Sequence, residues 1–161
     1  MTLEQGKNSY VTVAQADEYV TGHYRSNSKD RQRWVALDEA DKEVLLLNAC
    51  AEMEQLPFQG RKAIRDQELA FPRLPFQYGQ LLEPPKKVLA AQIELALWMS
   101  DDDTQAETSK RQELQDQGVT GFSLGDLSES YESTGARKSA LLCPKTKALL
   151  SSYLSGGYAT C

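Results

Sequence analysis

The feature that most constrains the fold of this chain is one helical segment that is apolar on nearly every side. It lies within residues 83–99, EPPKKVLAAQIELALWM. Its apolar positions are Val88, Leu89, Ala91, Ile93, Leu95, Ala96, Leu97, Trp98 and Met99. A helix without a wide polar face is stable in water only when other elements cover it on several sides. Pro84 and Pro85 suit its first turn, where no backbone N–H is needed. We therefore predict a central helix with the rest of the domain packed around it.

Two other segments before it predict helices with clear starts. Thr12 and Gln15 have the spacing of a capping box, and Asp38 is a suitable N-cap for residues 38–56, which end at Pro57. In that second helix the predicted buried stripe consists of Val44, Leu47, Cys50 and Ala51, widened by Leu46 and Met53. The polar residues 25–32, RSNSKDRQ, are predicted to form a loop.

The rest of the chain predicts a connection, an arm and a last short helix. Residues 57–79 are rich in Pro, Gly and aromatic side chains and predict an ordered connection that packs on the core. Residues 101–117 are strongly polar and predict an exposed arm. A last helix begins near Pro144 and ends before Gly156, with its apolar face on Leu149, Leu150, Tyr153 and Leu154. The predicted fold class is mainly α: a small helical bundle with one short β-hairpin or extended segment, in a single domain of residues 1–161.

The hairpin is predicted from residues 118–131, GVTGFSLGDLSESY. Apolar residues alternate with polar ones on both sides of a Gly–Asp pair, which is typical of two short strands joined by a turn. An isolated hairpin is marginal in water and has unpaired edges. Two interpretations follow: it adds to the strands of a neighbouring copy of the chain, or it packs on its own helices as a flap.

Composition and motifs exclude several classes of function. The net charge of −5 argues against tight wrapping by nucleic acid, whose affinity comes mainly from Lys and Arg. Three distant cysteines and an N-terminus without a basic-then-apolar segment predict a cytosolic chain without disulfides. The single histidine, His23, has no neighbouring metal-ligand pattern, and Asp101, Asp102 and Asp103 fit a solvated helix end better than a Mg²⁺ site. We expect no enzyme activity, no cofactor and no membrane segment; a small enzyme is the least favoured hypothesis.

Six pieces in a fixed order make the chain resemble a known family. They are NSYVTVAQADEYV, KEVLLLNACAEME with a tryptophan before it, FQGRKAIRDQELAFPR, PPKKVLAAQIELAL, LGDLSESY and LLSSYLSGG. Together they span nearly the whole chain and are similar to the tailed-phage head–tail adaptor proteins, also named head-completion or connector proteins. Members of this group are also described as DnaT-like single-stranded-DNA-binding proteins.

The resemblance implies a structural virion protein. About a dozen copies would form a ring below the portal, extend the DNA channel and carry the next neck or tail-completion protein, with genomic DNA passing through without specific binding. The protein would be in the virion at the head–tail interface, and in the host cytoplasm during assembly. The implied ring contacts are Phe122, Leu124, Leu127, Glu129 and Tyr131, with the polar arm as a further candidate. The implied portal-docking segment is residues 149–161, with Leu150, Tyr153, Leu154 and Tyr158 as its contacts.

The alternative is a single-stranded-DNA-binding protein. Its candidate phosphate contacts are Arg61, Lys62, Arg65 and Arg73, and its candidate stacking surfaces are Trp34, Phe71 and Phe76. Trp34 and Trp98 also fit the core, where large aromatic side chains anchor packing.

Overall fold

The computed structural model describes residues 2–75, 83–116, 121–124, 127–130 and 139–155. It divides the chain into two compact units, Met1–Ser100 with Lys138–Cys161, and Asp101–Arg137. The predicted arm lies in the second unit. The described helices are α1 (Val13–His23), α2 (Lys29–Ala36), α3 (Glu39–Glu54), α4 (Lys86–Met99), α5 (Asp102–Asp116) and α6 (Pro144–Leu150). The described strands are β1 (Arg61–Lys62), β2 (Arg73–Leu74), β3 (Gly121–Leu124) and β4 (Leu127–Ser130). The mainly α class is confirmed.

The predicted central helix is confirmed as α4 of the first unit. Residues 91–97 are all buried, and α4 packs against α3 on one side and α6 on another, with α1 also in contact. Pro85 is its N-cap residue. None of the described helices combines the length and the hydropathy that crossing a bilayer requires. The core around α4 includes side chains from α1, α2, α3 and α6, from the N-terminal segment and from the connection before α4.

Helix starts follow the predicted caps. The Thr12 side chain accepts a hydrogen bond from Gln15 N (3.2 Å), and Gln15 Oε1 accepts one from Thr12 N (2.9 Å), which completes the capping box of α1. Asp38 Oδ1 accepts from Asp41 N (2.7 Å) at the start of α3. Each interaction satisfies a backbone donor that the helix itself leaves unpaired.

Two predictions for the first half of the chain were wrong in part. Residues 29–32, predicted as loop, belong to α2, which begins at an N-cap formed by Ser28. This short polar helix has no apolar period; instead it is held by Trp34, which is fully buried and donates from Nε1 to Asp17 Oδ1 (2.8 Å). In α3, Val44 is 54% exposed and Ala51 is exposed. The α3 side chains that pack inward are Leu46, Ala49, Cys50 and Met53.

The second unit contains α5 and the predicted hairpin, which is confirmed. Strands β3 and β4 pair antiparallel, with Phe122 opposite Glu129 and Leu124 opposite Leu127. Residues 125 and 126, which connect the strands, lie outside the described residues. The polar segment predicted as an arm forms α5 from Asp102 to Asp116.

A buried tyrosine joins the N-terminal segment to α3 and to the connection that follows it. Tyr10 is 2% exposed, and its hydroxyl donates to Glu54 Oε1 and accepts from Phe71 N (3.2 Å). Glu54 Oε2 accepts from Ala70 N (2.7 Å). Burial, together with the neighbouring Glu54 carboxylate, raises the pKa of Tyr10 well above the ordinary tyrosine value.

This raised pKa predicts a loss of stability at high pH. Above about pH 10 the unfolded chain releases the Tyr10 proton while the folded protein retains it, so the free energy of unfolding is unaffected below that pH and falls above it, by up to roughly 1.4 kcal/mol per pH unit for one such group. Urea unfolding at pH 8, 10 and 11 measures this. Tyr10→Phe should be less stable at pH 8, by about 1–3 kcal/mol for the lost hydrogen bonds, and should lose less stability between pH 10 and 11. If the unmodified protein and Tyr10→Phe lost the same stability between pH 10 and 11, the burial of the Tyr10 hydroxyl beside Glu54 would be contradicted.

Candidate nucleic-acid interface

All four basic residues predicted for nucleic-acid binding lie in one folded segment, residues 57–75, which we name the basic loop. Its two ends run antiparallel as β1 and β2, with Arg61 opposite Leu74 and Lys62 opposite Arg73. Ala63 N donates to Pro72 O (2.9 Å) next to this ladder. The sequence therefore brings the four cations together, although their side chains have different roles.

Gly60 allows the two strands to approach. Its φ is +74°, in the left-handed region that side-chain-bearing residues avoid. A Cβ atom at this position would lie 2.0 Å from Leu74 O, far inside contact distance. Only glycine fits at this start of the basic loop without a backbone shift.

Arg73, which is partly buried, and Lys62, which is exposed, hold the basic loop together through hydrogen bonds to its backbone carbonyls. The Arg73 guanidinium donates to Gln59 O (2.7 Å) and Gly60 O (2.6 Å), with longer bonds to the carbonyls of Phe58 (3.3 Å) and Ala70 (3.4 Å). Lys62 Nζ donates to the carbonyls of residues 67 and 68, both at 3.0 Å. Most of their N–H groups already have acceptors, so we assign both residues a structural role in the basic loop.

Gln67 has a similar structural role that the sequence did not reveal. Its Nε2 donates to Leu69 O (2.7 Å), Ala70 O (3.1 Å) and Pro72 O (3.0 Å), and its Oε1 accepts from Ile64 N (3.0 Å). One amide thus fixes the backbone on both sides of the turn. A glutamine among polar neighbours carries no periodic or capping signal, so only the three-dimensional structure identifies it.

The basic loop is anchored to the core through Phe71 and the chain's last described residues. Phe71 packs edge-on against Tyr10, Phe58 and Tyr153, with ring centroids 6.4, 4.8 and 5.3 Å away. Gln59 N donates to Tyr153 O (2.8 Å), and Ser155 N donates to Pro57 O (2.8 Å). These contacts hold the backbone of the basic loop at Pro57 and Gln59, and the aromatic packing holds it at Phe71.

Arg61 and Arg65 are the cations that the basic loop presents outward. Both are exposed, and their side chains form no hydrogen bond or ion pair with the described residues. Ile64, between them, is 45% exposed. Asp66 and Glu68 are exposed on the same loop and partly offset its positive charge. The loop can therefore offer two guanidinium groups and an apolar side chain to a partner.

The structure corrects the predicted stacking surfaces. Trp34 is fully buried, and Phe71 is 2% exposed inside the aromatic cluster, so neither ring has a face that a base can reach. Phe76 lies outside the described residues. The placement of Trp34 in the core, which the sequence left open, is thereby decided.

Of the residues predicted for ring and portal contacts, some are buried in the core, some lie in the hairpin, and some lie outside the described residues. Leu150 and Leu154 are fully buried in the core, and Tyr153 is half-buried against Phe71. Phe122, Leu124, Leu127 and Glu129 lie in the two strands of the hairpin. Tyr131 and Tyr158 lie outside the described residues. Buried leucines cannot meet a partner while the core is closed; the ring and docking predictions otherwise stay predictions.

The described ranges hold no grouping of three or more His, Cys, Asp or Glu side chains suited to a metal ion. His23 is exposed at the end of α1; its Nδ1 lies 2.9 Å from Tyr19 O, and its ring stacks on Tyr19 at 4.0 Å. These contacts give the histidine a local structural role at the helix end.

Comparison with known proteins gives one match. The model of a family described as "Putative DnaT-like ssDNA binding protein" matches residues 2–161. No curated protein and no solved structure matches the chain. The match bears on the predicted alternative, single-stranded-DNA binding, and the adaptor role stays a prediction.

The geometry at Gly60 predicts a strong effect of one methyl group. Gly60→Ala should destabilise the protein by about 2 kcal/mol or more, because the backbone conformation is strained for alanine and Leu74 O blocks the added carbon. Gly22→Ala is the matched control: this glycine is in the last turn of α1, and a Cβ there would meet no atom within 4 Å beyond its chain neighbours and the backbone of its own helix, so alanine should stabilise the protein by up to about 0.5 kcal/mol. Urea unfolding measures both changes, and a neutral Gly60→Ala would contradict the described turn.

Proposed function

We propose that this chain, which belongs to the family of DnaT-like ssDNA binding proteins, binds single-stranded DNA through the exposed arginines of the basic loop. The family match over nearly the whole chain carries this proposal. The matching family is described as one of binding proteins. The proposed activity is therefore non-catalytic and depends on a surface.

The side-chain contacts in the basic loop support two of the four candidate residues as phosphate contacts. Arg61 and Arg65 are the candidates whose side chains are not engaged within the described structure. The loop is held by Arg73, Lys62 and Gln67, so little backbone order has to be gained on binding. With a net charge of −5, the rest of the protein adds no long-range attraction for phosphate, and the proposed binding is weak and sensitive to salt.

A second candidate function is the head–tail adaptor. The observation in its favour is the second unit, a helix followed by an antiparallel hairpin, which in chain order comes between α4 and the last helix of the bundle. Outside β3 and β4 themselves, no described strand pairs with this hairpin. Open strand edges readily pair with a second chain, so a ring of copies is a natural use of them.

In this candidate role the ring would sit on the portal and carry the next neck or tail-completion protein. The acidic net charge suits a channel through which DNA moves without sticking. Because Leu150 and Leu154 are enclosed in the core, portal docking would rely on Tyr153 and on residues beyond 155.

Salt dependence is the sharpest test of DNA binding. With two phosphate contacts, the logarithm of the association constant for an oligo-dT strand should fall against the logarithm of salt concentration with a slope of about −1.4; four contacts would give about −2.8. The double variant Arg61→Ala/Arg65→Ala should lower the association constant roughly 50-fold at 50 mM salt, because two phosphate contacts and the counterion release that accompanies them are lost. Fluorescence anisotropy of a labelled oligonucleotide measures both quantities.

Arg25→Ala/Lys29→Ala is the charge-matched control. Both residues are exposed and lie outside the basic loop, and the double variant changes the net charge by the same amount. It should bind like the unmodified protein. A flat anisotropy signal at micromolar protein and low salt would overturn the DNA-binding proposal. If the two double variants lost the same affinity for the oligonucleotide, the effect would come from net charge and the assignment to Arg61 and Arg65 would be wrong.

The adaptor candidate has its own test. Electron microscopy of the protein mixed with the portal from the same genome should give a ring of extra density on the portal's outer end. Leu127→Asp places a charge in β4 and should abolish ring formation while leaving the helical circular dichroism intact. Loss of the helical signal would instead support the flap interpretation, and no association with an intact portal would overturn the adaptor role.

A further inference from the structure

We infer that a cleft beside the basic loop takes an unpaired nucleobase of the bound strand. This inference rests on the proposed DNA-binding function and deepens it. The cleft has a volume of about 460 Å³ and lies in the first unit, between the N-terminal turn, the basic loop and the start of α4. That volume is within the range of about 300–1,000 Å³ in which proteins hold small organic ligands.

The walls of the cleft supply the apolar surface that a base face needs. Ile64 and Pro72 of the basic loop form one side, and Leu89 of α4 forms another. Ile64 is 45% exposed, so contact with a base would remove apolar area that water now covers. Phe71 and Tyr10 also line the cleft, but each is only 2% exposed, so the aliphatic side chains are the stacking contact that the cleft offers to a base.

Two glutamines supply polar groups suited to a base edge. Gln5 Nε2 donates to Tyr10 O (3.1 Å) and to Gln15 Oε1 (2.9 Å), while Gln15 Oε1 also accepts from Thr12 N. These bonds leave Gln5 Oε1 as an acceptor and the Gln15 amide N–H₂ as a donor, neither with a partner in the described structure. Both side chains line the cleft. Base edges present donors and acceptors side by side, which such a pair of amides can match.

The described residues that line the cleft include no Lys or Arg, so the cleft offers no cation to a phosphate group. Arg65 is exposed and follows Ile64 directly in the chain, so a phosphate held by Arg65 would be bound one residue from a residue that lines the cleft. Two phosphate contacts alone cannot distinguish single strands from duplex DNA. A cleft that accepts an unpaired base supplies that distinction, because paired bases are held in the stack.

The test compares strands with and without bases. Fluorescence anisotropy at low salt should give an affinity about tenfold higher for an oligo-dT strand than for an abasic strand of equal length, the effect of burying part of one apolar side chain. The Ile64→Ser variant should bind oligo-dT with the affinity that the unmodified protein has for the abasic strand. Its affinity for the abasic strand should be unchanged. Val44→Ser, on the exposed face of α3 and similarly exposed at 54%, is the matched control and should keep the tenfold difference.

Each outcome has a distinct meaning. Equal binding of the two strands would overturn the cleft inference while the proposed function stands. If Ile64→Ser lost affinity for both strands, the inference would also be overturned, because Ile64 would then be needed for the conformation of the basic loop and not for contact with a base. If neither strand binds the unmodified protein, the proposed function fails and the inference fails with it.

Discussion

The structure of the first unit depends on two polar side chains buried in an otherwise apolar helix. On α4, Gln92 accepts from Tyr10 N (2.9 Å) and donates to Ser9 Oγ and Leu46 O, both at 2.8 Å. One turn of α4 thereby fixes the N-terminal segment and α3. Glu94, 6% exposed, accepts from the hydroxyl groups of two tyrosines of the α1 region and pairs with Lys145 of α6 (3.3 Å). Buried polar groups are costly without partners, so each of these bonds selects one arrangement of the surrounding elements.

The basic loop follows from the same arrangement. Tyr10, whose backbone binds Gln92, uses its hydroxyl group to bind Glu54 and Phe71 N, so α4 and the loop share one tyrosine. Internal bonds from Arg73 and Gln67 then make the loop a fixed platform. Because most N–H groups of Arg73 and Lys62 are used inside the loop, the proposed phosphate contacts are assigned to the exposed Arg61 and Arg65.

The two candidate functions use different parts of the chain. The proposed DNA binding would use the basic loop and the neighbouring cleft, both in the first unit, whereas the proposed ring assembly would use the hairpin of the second unit. The family match favours the first, and the second is suggested by a hairpin with which no other described strand pairs. Since the two functions use different residues, a variant in one set leaves the other set intact, and the two functions can be tested independently.

The local features of the fold can be predicted from the order of the amino acids. It specified the mainly α class, the apolar central helix, the caps at Thr12 and Asp38, and the hairpin, because capping, apolar periodicity and turn chemistry depend on near neighbours. The tertiary structure alone decided which face of α3 is buried, since the run of apolar residues at 44–47 permits more than one stripe and packing against α4 selects Leu46 over Val44. It likewise divided the basic residues into structural and outward-facing ones, because the carbonyls that bind Arg73 are brought together only by folding.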